Sequence, residues 1–189
     1  MELVLFAVIR ITLFILLSIL LVVLSWRALH NPKCHGFYRF FAFEGILVLV
    51  LMNASFWLKD PLSPLQLISW TILFFSILFV FQGVYLLRKM GGSRDKEIIS
   101  ENLTFENTAQ LVTHGIYKYI RHPMYSSLLL LAWGAFLKHI TIYGLLAALI
   151  TTIFLVITAK IEERENMLFF GSSYKEYMKK TKMFIPYIF

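Results

Sequence analysis

Residues 115–125 read Gly115-Ile116-Tyr117-Lys118-Tyr119-Ile120-Arg121-His122-Pro123-Met124-Tyr125, and a long apolar run begins inside this stretch. The eleven residues include two cations, three tyrosines, one histidine and one proline. A membrane anchor needs charge where it leaves the bilayer, but it does not need this density of hydrogen-bond donors and aromatic rings. The stretch therefore marks a membrane boundary and predicts a polar ligand bound there.

The composition is that of a membrane protein. Of the 189 residues, 59% are hydrophobic and only 15% are charged, which leaves too few polar side chains to cover a water-soluble domain. A single cysteine, Cys34, excludes an internal disulfide and a multi-cysteine metal site. No metal is expected, because His30, Cys34 and His35 have no fourth ligand at a matching spacing. The lysines and arginines that give the net charge of +7 lie in segments between the apolar runs, as in a membrane protein. The expected partner is therefore the lipid bilayer and not nucleic acid.

Five apolar runs predict an all-α integral membrane fold, with spans at 3–26, 40–58, 65–87, 124–137 and 140–159. Most hold about 20 residues, enough to cross a hydrocarbon core of roughly 30 Å. The fourth reaches only ~21 Å, and it should form a tight antiparallel hairpin with the fifth. The first run lacks a basic n-region, so it is expected to be a retained span. We expect one domain over 1–189, with three spans in 1–90 and the catalytic part in 91–189, including an irregular stretch at 98–113.

The lysines and arginines predict the orientation. Fifteen lie in the loops 27–39 and 88–121 and in the tail that begins at Lys160, against two, Lys59 and Lys138, on the other side. This bias predicts an outer N-terminus and a cytoplasmic C-terminus in a plasma, inner or endoplasmic reticulum membrane. The polar segments 88–123 and 160–189 then both face the cytoplasm, so a pocket between them would be cytoplasmic.

Polar residues inside the spans predict contacts between helices. Counted at 1.5 Å per residue, Glu44 and Gln82 both lie ~6–8 Å from the cytoplasmic ends of their spans. Arg10 and Asn53 lie ~20–24 Å from that side by the same count. Two pairs are therefore expected, Glu44 with Gln82 and Arg10 with Asn53.

A second polar cluster follows the fifth span and reads Glu162-Glu163-Arg164-Glu165. The hairpin should bring it close to residues 115–125. Free N–H groups at the start of the fourth helix, together with Arg121, favour an anionic group. Glu162 and tyrosine faces favour a cation. A zwitterionic ligand with an aromatic part fits both halves, and S-adenosylmethionine is such a molecule.

Two motifs carry a resemblance to a known family. The first runs Leu111-Val112-Thr113-His114-Gly115-Ile116-Tyr117 and continues in Arg121-His122-Pro123-Met124-Tyr125. The second contains Glu162-Glu163, then Phe170-Gly171-x-x-Tyr174-x-x-Tyr177, and ends in Phe184-Ile185-Pro186. In this order they resemble the signatures of the isoprenylcysteine carboxyl methyltransferase family and related integral-membrane methyltransferases, over 111–125 and 158–186.

The resemblance implies a membrane methyltransferase that uses S-adenosylmethionine as its cofactor. It implies cofactor contacts by Gln110, Leu111, Val112, Tyr117, His122, Pro123, Met124, Tyr125 and Glu162. The expected catalytic residues are Arg121, Glu162 and Glu163. A helical wheel does not separate Glu162 from Glu163, because apolar residues between Ile161 and Phe170 fall on all sides. The family motif favours Glu162.

One position departs from the resemblance. Family members that methylate a prenylcysteine carboxylate have an arginine where this chain has Thr158. Lys160 or Arg164 would have to replace it, and lysine lacks the planar fork of arginine. Thr158 and Arg164 are the candidate substrate residues. The acceptor is expected to be lipophilic or small and membrane-accessible, with a carboxylate, an amine and a thiol all open.

Two other functions fit parts of the pattern. Sterol reductases that use NADPH share a similar Arg-His…Tyr pattern, but they lack the proline after the histidine that this chain has at Pro123. A non-enzymatic membrane carrier would have these residues only as an interfacial belt.

Overall fold

A computed structural model describes residues 2–92 and 108–186 of the chain. In this part the chain forms the helices α1 (Glu2–Leu24), α2 (Trp26–Leu29), α3 (His35–Met52), α4 (Pro64–Met90), α5 (Pro123–Phe136), α6 (Ile142–Phe170) and α7 (Ser172–Lys180). Short 3-10 turns lie at Ala54–Phe56 and Gly115–Lys118. The irregular stretch predicted at 98–113 falls mostly outside the described residues.

Four of these helices are long and apolar enough to cross a membrane, namely α1, α3, α4 and α6. The fifth apolar helix, α5, has only 14 residues. The predicted all-α fold with a short fourth span is therefore confirmed, and the chain has the helices of a multi-pass membrane protein. Pro64 and Pro123 begin α4 and α5, where the missing proline N–H costs no hydrogen bond.

Two predicted spans have wrong boundaries. Helix α3 begins at His35, not at 40, and it ends at Met52, before the expected end at 58. Helix α6 continues beyond 159 as far as Phe170 and stops at Gly171, whose φ is +61°. The charged residues after Ala159 are good helix formers, so the helix outlasts the apolar run. The second polar cluster thus lies on a rigid helix.

Helices α3 and α6 form one closely packed pair, and α4 and α5 form another. A glycine permits the close approach in each pair. A Cβ at Gly45 would lie 2.2 Å from Thr151 Oγ1, and a Cβ at Gly134 would lie 2.7 Å from Leu73 Cδ2. The predicted turn between α5 and α6 is present at 137–141, but each helix packs mainly against a helix of the first half of the chain.

The far end of α5 is buried in protein. Ser69 donates a hydrogen bond to Gly134 O (2.7 Å), Asn53 to Ala135 O (2.8 Å) and Gln66 to Lys138 O (2.9 Å). Lys138 itself is 2% exposed, and its Nζ lies 3.5 Å from the centre of the Trp70 ring. Side chains of α4 and of the residue after α3 therefore use the carbonyls that a short helix leaves free.

Helix α1 lies at the outside of the bundle, and its membrane-spanning window has no buried residue. Two polar contacts join it to α3. Ser18 Oγ donates to Glu44 Oε2 at 2.8 Å, and Arg10 Nη1 donates to Met52 O at 3.5 Å. Both intramembrane pairs expected from depth are wrong, because Gln82 is exposed on α4 and Asn53 bonds to Ala135. Depth alone does not tell which helices are neighbours.

Candidate active site

An open cavity of about 590 Å³ lies where the end of α4, the start of α5, the last turns of α6 and helix α7 meet. Its walls include eight of the nine residues predicted to contact a cofactor: Leu111, Val112, Tyr117, His122, Pro123, Met124, Tyr125 and Glu162. The ninth, Gln110, is exposed and does not line it. The two sequence motifs therefore come together around one space.

Gly115 fixes the path of the first motif into this space. Its φ is +60°, a conformation that side-chain-bearing residues rarely adopt. A Cβ at this position would also lie 2.6 Å from Leu86 Cδ1 of α4. The turn that follows carries Tyr117, which is buried and lines the cavity.

The C-terminal tail pairs with the residues just before α5. Lys182 N donates to Tyr119 O (3.0 Å), and Arg121 N and His122 N donate to the carbonyls of Lys182 (2.8 Å) and Met183 (3.1 Å). Ser126 Oγ donates to Phe184 O at 2.9 Å. These bonds link the two motifs directly, so the tail contributes to the shape of the cavity.

Arg121 is at the centre of a buried polar network. Its Nε donates to Glu163 Oε1 at 2.6 Å, and its Nη1 donates to the carbonyls of Met178 (3.3 Å) and Thr181. Met178 and Thr181 lie at the end of α7. The guanidinium therefore holds α7 against α6, and protein acceptors engage its Nε and Nη1. The sequence had assigned Arg121 to an anionic ligand.

The two adjacent glutamates face different surroundings. Glu162, Asn166 and Phe170 are spaced by four residues on α6 and all line the cavity, because residues at this spacing share a helix face. Glu163 is rotated by about 100°, is 6% exposed and pairs with Arg121. Glu162 is thus the glutamate available to a ligand.

His122 lies between these carboxylates. Its Nε2 is 3.4 Å from Glu163 Oε1, and its Nδ1 is 3.9 Å from Glu162 Oε2. The ring is 4% exposed and stacks on Tyr125, with ring centres 5.4 Å apart. The histidine therefore links the internal network to the cavity wall.

The candidate substrate residues do not line the cavity. Thr158 is fully buried and its Oγ1 donates to Phe154 O of the same helix at 2.7 Å. Arg164 is exposed, because it projects about 200° around α6 from Glu162. Among the residues that the structure describes, Arg121 is the sole lysine or arginine in the cavity wall.

Sequence reasoning gave no site role to six lining residues: Leu87, Thr108, Asn166, Phe170, Tyr174 and Tyr177. The tyrosine hydroxyl of Tyr177 donates to Tyr117 O at 2.7 Å. Burial raises the pKa of Tyr177, and burial with the charges of Glu162 and Glu163 raises the pKa of Tyr174. Both phenols stay neutral. The Tyr174-x-x-Tyr177 spacing was the available signal, since it places both rings on one face of a short helix.

The sequence pattern of the phospholipid methyltransferase family matches residues 65–173, more than half of the chain. The chain belongs to the phospholipid methyltransferase family. The match begins in α4 and includes α5 and α6. It contains every cavity residue up to Phe170, and it ends before Tyr174 and Tyr177. The resemblance to isoprenylcysteine carboxyl methyltransferases is confirmed, since relatives of that name are among those found.

This family member is similar to the methanethiol S-methyltransferase of Pseudomonas deceptionensis, with 35% identity over 38% of this chain and 26% of that protein. It is also similar to the protein-S-isoprenylcysteine O-methyltransferase of Schizosaccharomyces pombe, with 39% identity over 41% of this chain and 34% of that protein. A probable enzyme of the latter name from rice (Oryza sativa subsp. japonica) is 33% identical over 44% of each chain. The matches thus span less than half of each of these relatives. No solved structure matches the chain.

Proposed function

We propose that this member of the phospholipid methyltransferase family is a membrane methyltransferase that uses S-adenosylmethionine. The observation that carries the proposal is the shared cavity of the two motifs, in which one carboxylate, several aromatic rings and the first turn of α5 face the same space. The chain is proposed to form a single domain over 1–189, with its catalytic part in 91–189.

The residues present fit the proposed cofactor. Glu162 provides a carboxylate for an ammonium or sulfonium group. The positive end of the α5 dipole, at Pro123 and Met124 in the cavity wall, favours an anionic group such as a carboxylate. Leu111, Val112 and the neighbouring aromatic side chains offer an apolar surface for an adenine ring. When bound, S-adenosylmethionine would supply an electrophilic methyl group.

The protein's contribution would be orientation and exclusion of water. Holding two reactants at attack distance lowers a barrier by about 7–11 kcal/mol, and a water-poor site limits side reactions. We assign ligand contact to Glu162, whereas Arg121 and Glu163 act as positioning residues, because they bond to each other and to the end of α7. The sequence suggested a catalytic role for all three residues, whereas we assign direct ligand contact to Glu162 alone.

The acceptor is proposed to be a lipophilic or small molecule with a thiol or an amine as the reacting group. The related proteins are named methanethiol S-methyltransferase and protein-S-isoprenylcysteine O-methyltransferase, so the names include both a sulfur and an oxygen acceptor. A carboxylate acceptor would need a cation whose charge is not already paired, but Thr158 is buried, Arg164 faces away and the Arg121 charge is paired with Glu163. An assay with labelled S-adenosylmethionine should therefore show faster methylation of an alkyl thiol than of a prenylcysteine carboxylate. The opposite order would contradict the assignment.

Binding measurements test the cofactor. We expect the purified chain, titrated in a calorimeter, to bind S-adenosylmethionine but not NADPH. Glu162→Gln should weaken binding about tenfold, because a charge-assisted hydrogen bond is lost. Glu176→Gln removes an exposed carboxylate of α7 and serves as the control. Binding of NADPH alone would indicate a reductase, and binding of neither a non-enzymatic carrier.

A further inference from the structure

A second open space, a groove of about 750 Å³, lies between α1 and α3. Ala7, Ile11 and Phe14 line one side, and Val48 and Leu51 line the other. One charged residue, Arg10, is also in the wall. The groove is separate from the candidate active site, since it lies at the end of α3 whereas the start of α3 contacts Glu165 near the cavity end of α6.

The described residues leave most of the Arg10 donors unused. The guanidinium has five N–H groups, and Nη1 makes one long hydrogen bond, 3.5 Å, to Met52 O. The Phe6 ring lies 5.2 Å from the guanidinium carbon. A cation in an apolar span is costly unless acceptors surround it. A ligand with several anionic oxygens would provide them.

The position of Arg10 indicates where this ligand comes from. The pairs Arg10–Met52 and Ser18–Glu44 show that α1 and α3 run antiparallel. Met52 is the last residue of α3 and precedes the exposed residues Leu58, Lys59 and Asp60. Arg10 therefore lies level with the end of a membrane-spanning helix, which is the depth that a lipid headgroup can reach, since arginine side chains extend towards the interface.

We propose that this groove binds an anionic phospholipid from the surrounding bilayer. The phosphate would accept hydrogen bonds from the planar guanidinium of Arg10, a geometry that suits phosphate oxygens. One acyl chain would lie along Ala7, Phe14 and Val48. A second copy of the chain is a poorer occupant, because a symmetric α1 contact would bring two Arg10 side chains together.

Native mass spectrometry of the purified full-length chain tests this proposal. The probes are detergent micelles with phosphatidylglycerol or with phosphatidylcholine. We expect the wild type to retain one phosphatidylglycerol in preference to phosphatidylcholine, and Arg10→Gln to bind it about tenfold more weakly. Arg27→Gln removes an exposed cation outside the groove and should bind as the wild type does. Equal retention in Arg10→Gln and the wild type would overturn the proposal.

A second pair of variants keeps Arg10 and separates lipid binding from folding. Ala7→Trp fills the groove, whereas Val8→Trp places the same ring on an exposed position outside the groove wall. We expect phosphatidylglycerol to raise the melting temperature of the wild type and of Val8→Trp, but not that of Ala7→Trp. If all three proteins respond equally, the groove is not the lipid site.

Discussion

At the scale of single residues, Glu162 and Glu163 show how neighbouring side chains of one type take different roles. The Glu162 side chain is 25% exposed and faces the cavity, whereas that of Glu163 is 8% exposed and pairs with Arg121 and His122. The sequence motif presents them as a unit. A rotation of about 100° around α6 is enough to place one glutamate in the cavity wall and the other in an internal ion pair.

Glu163→Gln is expected to destabilise the protein strongly. Removing one partner of a buried ion pair leaves the Arg121 charge uncompensated, which costs about 3–5 kcal/mol. The melting temperature of the purified protein should fall well below that of Glu162→Gln. A Glu163→Gln protein that melts like the wild type would show that the pair is not a major contact.

Gly115→Ala is expected to be more harmful than Gly171→Ala. Both glycines have positive φ, so each substitution costs about 1 kcal/mol or more in backbone strain. At Gly115 the new Cβ would also meet Leu86 at 2.6 Å, whereas nothing lies within 4 Å of it at Gly171. The melting temperature should therefore be lower for Gly115→Ala than for Gly171→Ala. Adding Leu86→Ala to Gly115→Ala should partly restore the melting temperature. Equal losses at both positions would argue against the predicted clash.

At the scale of helices and segments, α7 and the tail attach to the start of α5. Backbone hydrogen bonds join 119–122 to 182–183, and the Arg121 side chain adds the end of α7. Tyr177 adds a third link through Tyr117 O. A nine-residue helix that is unstable alone is thereby fixed as a wall of the cavity.

Arg121→Lys is expected to loosen this segment even though the charge is kept. Lysine cannot reproduce the planar fork that reaches Glu163 and two carbonyls at once. A protease should therefore cut the tail after Gly171 faster in this variant than in the wild type. Arg88→Lys makes the same exchange at an exposed position and should leave the cutting rate unchanged. Equal rates in both variants would contradict the positioning role.

Several elements were predictable from the sequence, and the reasons are physical. The apolar runs predicted the four long helices and the short α5, because a helix that crosses the hydrocarbon core needs about 20 apolar residues. Of the residues predicted to contact a cofactor, all but Gln110 line the cavity, whereas the contact with a cofactor itself stays a prediction. Asn166 and Tyr174 received no site role, since their contribution depends on how far α6 extends and on where α7 folds back. Those features rest on contacts such as Arg121 to Thr181, which local patterns do not encode.

At the scale of the whole molecule, two helix pairs and an outer helix leave openings at opposite ends. The cavity lies at the end bounded by the cation-rich segments, and the lipid groove lies near the end of α3. We therefore propose, as the sequence predicted, that the cavity faces the cytoplasm. The positive-inside rule supports this orientation, because the loops and the tail that carry most lysines and arginines lie at this end.

Cysteine labelling in intact cells tests that orientation. Native Cys34 is buried, so it should react slowly. A membrane-impermeant maleimide should label Lys59→Cys in intact cells, whereas Lys179→Cys should react only after permeabilisation. Both positions are exposed, which makes accessibility to the reagent the difference between them. The reverse pattern would place the cavity on the outer side.

The buried far end of α5 has a consequence for how the protein responds to its membrane. Three side chains bond to carbonyls at the end of this helix that is far from the cavity. Two of them belong to α4, so α5 is tied to α4 and follows its movement. The long helices α4 and α6 can tilt as the hydrocarbon layer becomes thicker or thinner. Because α4, α5 and α6 all contribute to the cavity wall, a different tilt of α6 relative to the α4–α5 pair would change the shape of the cavity, so we expect bilayer thickness to affect it.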